Sequence, residues 1–164
     1  MLRISLAALA LAGCASAPVS HNVLTISSLT QGLMRNAGGA WRVYERGDTF
    51  EYRDNGECTA AGERHAKCMW YGFEFDFAAP TRSTTLSCVA HMSSPTNIVT
   101  FNEKKATDAQ EYRFAFTLSG LSGHMAKPGY TVRTPEDNGN RRTSVECSHA
   151  GTVVLRYSFN IHGV

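Results

Sequence analysis

The 164-residue chain carries 16 Lys and Arg against 14 Asp and Glu, a formal charge of +2 with neutral histidines, and 43% of its residues are hydrophobic. Such a length suits one domain with a core of ordinary size, and so small a charge gives no strong sign of an oppositely charged partner; nucleic-acid binding would need a clustered basic stripe. Arg141-Arg142 and Lys104-Lys105 are isolated pairs and read as solvated surface, so no nucleic-acid partner is expected.

The chain opens with Met1-Leu2-Arg3, runs through apolar residues 4–11, and continues Leu11-Ala12-Gly13-Cys14. The apolar run is far shorter than the ~20 residues of a membrane-spanning helix and has the charge and length of a secretion signal. Leu11-Ala12-Gly13-Cys14 resembles the lipobox of bacterial lipoproteins. The resemblance implies that residues 1–13 are a signal peptide and that Cys14 becomes a lipidated first residue. Ala15 is not the Asp that retains such proteins on the inner membrane, so the expected location is the outer membrane, lipid-anchored and facing the periplasm. The lipid on Cys14 is the only prosthetic group expected. Removing 13 of 164 residues leaves 151, with 15 basic and 14 acidic. Small polar residues 15–22 suit a flexible tether, and the expected divisions are 14–27 for the lipidated cysteine and tether and 28–164 for a β domain.

Ser28-Leu29-Thr30-Gln31 fits a capping box and Gly38-Gly39 a helix stop, which predicts a short helix over 29–35. The period then changes to two. Segments 41–45 and 49–53 flank Arg46-Gly47-Asp48 as a hairpin, with Asn55-Gly56 as a following turn. The clearest strand is 69–77, where Met69, Tyr71, Phe73, Phe75 and Phe77 share one face and Glu74 and Asp76 the other. Further alternation marks 86–92, 97–101, 111–118, 130–134, 143–149 and 152–161. The fold class expected is all-β, a single antiparallel barrel or sandwich of about eight strands. Gly39-Ala40-Trp41, leading into a strand, resembles the Gly-x-Trp segment of lipocalin-like barrels. That resemblance implies Trp41 packed beneath a basic residue of a late strand, for which Arg156 is the candidate.

Besides Cys14 the chain has Cys58, Cys68, Cys88 and Cys147, an even count that in an oxidising compartment predicts two disulfides. Three pairings are possible. Alternation turns Cys88 inward with Leu86, Ala90 and Met92, and Cys147 inward with Val145, so Cys88 is matched with Cys147 and Cys58 with Cys68. Histidines near the cysteines (His65, His91, His149) raise a metal site as the rival reading. Cys88 and His91 are three apart and face opposite ways on a strand, and no CxxC pair or HExxH helix exists, so no metal is expected.

Gly120-Leu121-Ser122-Gly123-His124 lacks the Gly-x-Ser-x-Gly spacing, and Glu74 and Asp76 read as the wet side of an amphipathic strand, so no enzyme is expected. Four functions remain: a non-catalytic binding module for an envelope protein, an inhibitor or immunity protein against an envelope-active enzyme such as a lysozyme-like hydrolase, a structural component of a secretion system or pilus, and a lipocalin-like carrier of a small apolar ligand. Ser119-Gly120-Leu121-Ser122-Gly123 resembles the Ser-Gly-x-x-Tyr loop of periplasmic lysozyme inhibitors, with Gly123 where they have Tyr. Ser119, Gly120, Ser122 and His124 are therefore the candidate partner loop.

Overall fold

The computed structural model describes residues 23–60, 63–100, 103–133 and 139–164, and of these the side chains of 59–60, 63–65, 97–100 and 103–108 are left aside. Cys14, residues 1–22 and the side chains of His65, Lys104 and Lys105 thus lie outside the described set. The described residues are all-β, with ten strands: β1 (Thr25–Ala37), β2 (Ala40–Arg46), β3 (Thr49–Glu51), β4 (Gly56–Ala60), β5 (Glu63–Ala78), β6 (Ser83–Thr100), β7 (Glu103–Ser119), β8 (Ser122–Thr131), β9 (Asn140–His149) and β10 (Thr152–His162). Among the described residues no helix is long and apolar enough to cross a membrane.

Two five-stranded sheets result. The first runs β2-β1-β5-β4 with β8 also paired to β5, and the second runs β3-β10-β9-β6-β7. Alternation in β5 turns Phe73, Phe75 and Phe77 onto Leu86, Cys88, Leu118, Val145, Cys147 and Leu155 of the second sheet, which together form the main core. Each such side chain withdrawn from water contributes about 1.5–3 kcal/mol. A smaller cluster closes one end with Leu33, Phe50, Met69, Phe159, Ile161 and Val164.

The expected helix over 29–35 is instead the middle of β1. Its Ser28-Leu29 step is a bulge, where the register with β5 shifts between Ser27 and Thr30. Gly38-Gly39 is a hairpin loop rather than a helix stop: Ala37 faces Ala40, and both glycines have positive φ, 64° and 88°. Two consecutive positive-φ residues match the right-handed twist of the flanking strands, which is why glycine pairs favour this turn. β1 starts at Thr25, and Leu24 before it is already buried in the core.

Nor do segments 41–45 and 49–53 pair as a hairpin. β2 pairs with β1, whereas β3 crosses to the other sheet and runs parallel to β10, Phe50 beside Ile161, so the architecture is not purely antiparallel. Gly47 donates its N–H to the Gln31 carbonyl at 3.1 Å, and the Asp48 carbonyl accepts from Asn160 at 2.6 Å, so the intervening turn bridges the sheets.

Of the two expected disulfides, Cys88–Cys147 is formed, joining directly opposed residues of β6 and β9. Cys58 and Cys68 are buried thiols, not a bridge. Arg141 also departs from the reading as solvated surface. It lies opposite inward-facing Ile161 and donates from its guanidinium to Thr131 Oγ1 at 2.7 Å. Burial pushes the Tyr71 hydroxyl up, against the pull of the Arg141 charge.

Candidate functional site

Residues facing away from the core on β5 are Trp70, Gly72, Glu74 and Asp76, and around them the first sheet assembles its most concentrated chemistry. Gly72 lies directly opposite Gly32 of β1. A Cβ on Gly32 would come within 1.9 Å of the Glu45 carbonyl oxygen, and one on Gly72 within 2.2 Å of the Lys127 carbonyl oxygen. Both glycines also have positive φ, 157° and 158°, which L side chains rarely adopt, so conformation and space both demand glycine. These two glycines leave a trough in which the fully buried Met34 side chain lies and over which β2 closes.

The closure brings β2 against the Glu74 carboxylate, which accepts the Val43 N–H at 3.4 Å and lies 3.8 Å from the Arg42 guanidinium. From β8, His124 sits opposite Asp76 in register and lies between the two carboxylates: Nδ1 is 2.9 Å from Asp76 Oδ1 and Nε2 is 3.5 Å from Glu74 Oε2. The hydrogen bond to His124 holds the Asp76 carboxyl below its usual range, and the Ser28 hydroxyl and the charge of Arg42 act in the same direction. Glu74 is the more enclosed carboxylate, its side chain 17% exposed against 55% for Asp76.

Beyond the trough lies an aromatic group. Trp70 meets Trp41 of β2 at 4.4 Å between ring centroids and Tyr130 of β8 at 5.0 Å. The segment before β4 secures it: Asn55 accepts the Trp70 N–H at 2.6 Å and donates its amide to the Trp70 carbonyl at 2.9 Å. A side-chain amide thereby supplies the pair of bonds a neighbouring strand would make. Trp70 Nε1 donates to the Glu57 carbonyl at 3.1 Å, and a Cβ on Gly56 would lie 2.7 Å from the indole. Tyr44, 41% exposed, carries the Arg35 guanidinium 5.6 Å above its ring.

Beside this face opens a shallow cleft of about 430 Å³ lined by Tyr52, Arg53, Asp54, Ala66, Lys67, Val132 and Arg133. Arg53 is paired with Glu45, and Lys67 with Glu57 at 3.0 Å. The Tyr52 hydroxyl donates to Asp54 at 2.9 Å and accepts the Arg133 N–H at 3.1 Å; burial pushes its pKa up to about 12.

The four residues expected as a partner loop are not brought together as one. Ser119 ends β7 and Ser122 begins β8, so the connection is Gly120-Leu121 alone. Its base is fastened by Gly120 N–H to the Arg82 carbonyl at 2.8 Å and by the Leu121 carbonyl to Ala79 N–H at 2.7 Å. His124 lies on the sheet face with Glu74 and Asp76. Reading the sequence missed that these three converge, because the strand after Gly120 begins sooner than its apolar pattern shows. The aromatic group had a legible signal: Trp70 occupies an outward position of a strand whose inward row is already complete.

Ser28, Asp76 and His124 are the residue types of a hydrolase triad in a different order. Asp76 stands between the hydroxyl and the imidazole, and both ring nitrogens face carboxylates, so the imidazole has no lone pair directed at Ser28. Among the described residues no three His, Cys, Asp or Glu side chains are grouped to hold a metal ion. His91 faces Glu111 at 3.8 Å, and His149 meets the Thr85 carbonyl at 3.1 Å. Trp41 and Arg156 are apart, the first on Trp70 and the second on Glu146 at 2.6 Å.

No family model matches the chain, and no curated protein does. A solved structure of Pseudomonas fluorescens alkylpurine DNA glycosylase AlkC, bound to DNA containing an abasic site analogue, is similar with a TM-score of 0.37 and 12% identity. The match covers 85% of this chain and 30% of that one, and at that score it carries no argument about function.

Proposed function

We propose that the protein is a bacterial lipoprotein acylated at Cys14, anchored in the outer membrane facing the periplasm, and working as a non-catalytic binding module for an envelope protein. The reading of compartment rests on Leu11-Ala12-Gly13-Cys14, and the Cys88–Cys147 bridge is in keeping with an oxidising one. One observation carries the binding role. The outer face of the first sheet gathers Trp41, Trp70 and Tyr130 beside Arg42, Glu74, Asp76 and His124, and tryptophan, tyrosine and arginine are the side chains in which interface energy concentrates. Both imidazole nitrogens face carboxylates, an arrangement that favours recognition over acyl transfer. No second reading is favoured by a specific contact.

Two measurements test this. Intact mass of membrane-extracted protein is expected to show loss of residues 1–13 and addition of lipid, both abolished by Cys14→Ser; an uncut leader overturns the location. Cross-linking in intact envelopes is expected to join the chain to a discrete protein, with that product lost in Trp70→Ala and Arg42→Glu variants whose fold is intact by circular dichroism. Retention of the product in both variants overturns the assignment of the face.

A further inference from the structure

The two cysteine pairs of this chain differ in register. Cys88 and Cys147 are partners across β6 and β9. On the β4–β5 ribbon, Cys58 is opposite Ala66 and Cys68 is opposite Gly56, so the two cysteines are diagonal neighbours. Diagonal positions on an antiparallel pair stand ~7–8 Å apart at Cα, and a disulfide needs about 4.4–6.8 Å. Each thiol instead points to a carbonyl of the partner strand, Cys58 to Ala66 at 3.8 Å and Cys68 to Gly56 at 3.7 Å. The ribbon is already irregular at this place, with a register shift between Cys58 and Ala60.

We propose that Cys58 and Cys68 form a reversible dithiol–disulfide site, and that closing it drags β4 along β5 and resets the packing of Trp70. Gly56 pairs with Cys68 and leaves the space beside its Cα to the Trp70 indole, the Glu57 carbonyl holds Trp70 Nε1, and Asn55 holds the Trp70 backbone. Any slide of β4 sufficient to bring Cys58 opposite Cys68 moves all three.

The chemistry is thiol–disulfide exchange with a small disulfide such as oxidised glutathione. One cysteine thiolate attacks a glutathione sulfur, releasing one glutathione thiol; the second cysteine then displaces the other. Two cysteine thiols lose two electrons and two protons, one S–S bond forms, and both electrons and protons end on two glutathione thiols. Cys58, 8% exposed, is the entry point, while Cys68 is wholly buried. Burial pushes both thiols up, so exchange waits on β4 peeling from β5, its strand partner.

Trp41 and Trp70 are the chain's two tryptophans, and both belong to the affected group, so intrinsic emission reports the change. The full chain would be equilibrated in graded ratios of reduced to oxidised glutathione, acid-quenched, alkylated while unfolded, digested and mapped by mass. As the buffer becomes more oxidising, a linked Cys58–Cys68 peptide is expected to rise from absent to complete and to revert on return. Tryptophan emission is expected to fall in step while the Cys88–Cys147 peptide stays constant. A Cys58→Ser/Cys68→Ser variant is expected to show no change in emission. The proposal is overturned if both thiols persist in the most oxidising buffer, if the bridge persists in the most reducing one, or if Cys58 stops at a glutathione adduct. It is equally overturned if the two pairs titrate together, if the link forms with emission unmoved, or if the variant responds like the parent.

Discussion

The two faces of β5 are built from one strand by opposite means. Its inner face is filled by size: Phe73, Phe75 and Phe77 occupy alternate positions, Phe73 and Phe75 stack with centroids 5.8 Å apart, and all three are buried. Its outer face is shaped by absence, since Gly72 carries nothing and the trough it forms with Gly32 admits Met34 and lets β2 close over β5. The inner face therefore sets how stable the sheets are, and the outer face sets which polar and aromatic groups meet.

The largest expected effect is on the inner face. Phe75→Ala removes a fully buried ring from the centre of the main core, and such truncations cost about 3–5 kcal/mol. The urea unfolding midpoint is expected to fall further than in any outer-face variant while the slope is kept. A loss no larger than that of an exposed substitution would mean the sheets do not meet through this ring.

A smaller loss is expected on the outer face from adding one carbon. Gly72→Ala places a methyl group against the Lys127 carbonyl and the Met34 sulfur, and overpacking of this kind costs about 1–3 kcal/mol. Because the tighter obstacle is backbone, a second substitution Met34→Ala is not expected to recover the lost stability. Recovery in the double variant would show that the side chain, and not the strand, limits the trough.

How much of this contrast the sequence disclosed follows from what periodicity measures. Alternation in 69–77 identified the inner row and the outward carboxylates, because two-residue spacing is a property of one strand alone. It also matched Cys88 with Cys147 correctly, since both face the same core. It failed where partners decide. Ser28 to Gln31 satisfies a helix cap locally, yet the segment is pulled into a sheet by β5 on one side and β2 on the other. Cys58 and Cys68 are close in sequence and still not opposed, because hairpin register, fixed by the connecting residues, is invisible to composition. The His124–Asp76 contact was hidden for the same reason: it depends on which residue of β8 faces which of β5.

A subtler loss is expected from Asn55→Ala, which takes away both side-chain bonds to the Trp70 backbone. Each is worth about 0.5–1.5 kcal/mol net. Tryptophan emission is expected to shift toward that of exposed indole as β4 loosens, and hydrogen exchange at the Trp70 amide to quicken. Protection of that amide equal to the parent's would mean another group takes the place of Asn55.

The smallest effect on stability and the most local signature belong to the His124 pair. Asp76 is solvent-facing, and exposed ion pairs contribute little to folding. Its signature is the direction of its pH dependence. Folding lowers the Asp76 carboxyl, chiefly through His124, so between the folded and unfolded pKa values the unfolded chain binds more protons and stability rises with pH. The contribution is complete above the unfolded value and is lost as pH falls through the folded one. In His124→Gln the imidazole that hydrogen-bonds the carboxyl is gone, and the Asp76 carboxyl is expected to titrate higher than in the parent, read directly by carbon NMR of the side chain. In Asp76→Asn the difference in unfolding free energy from the parent is expected to shrink as pH drops and to reach its floor below the folded titration. An Asp76 titration unmoved by His124→Gln would leave the 2.9 Å contact without the electrostatic role assigned to it.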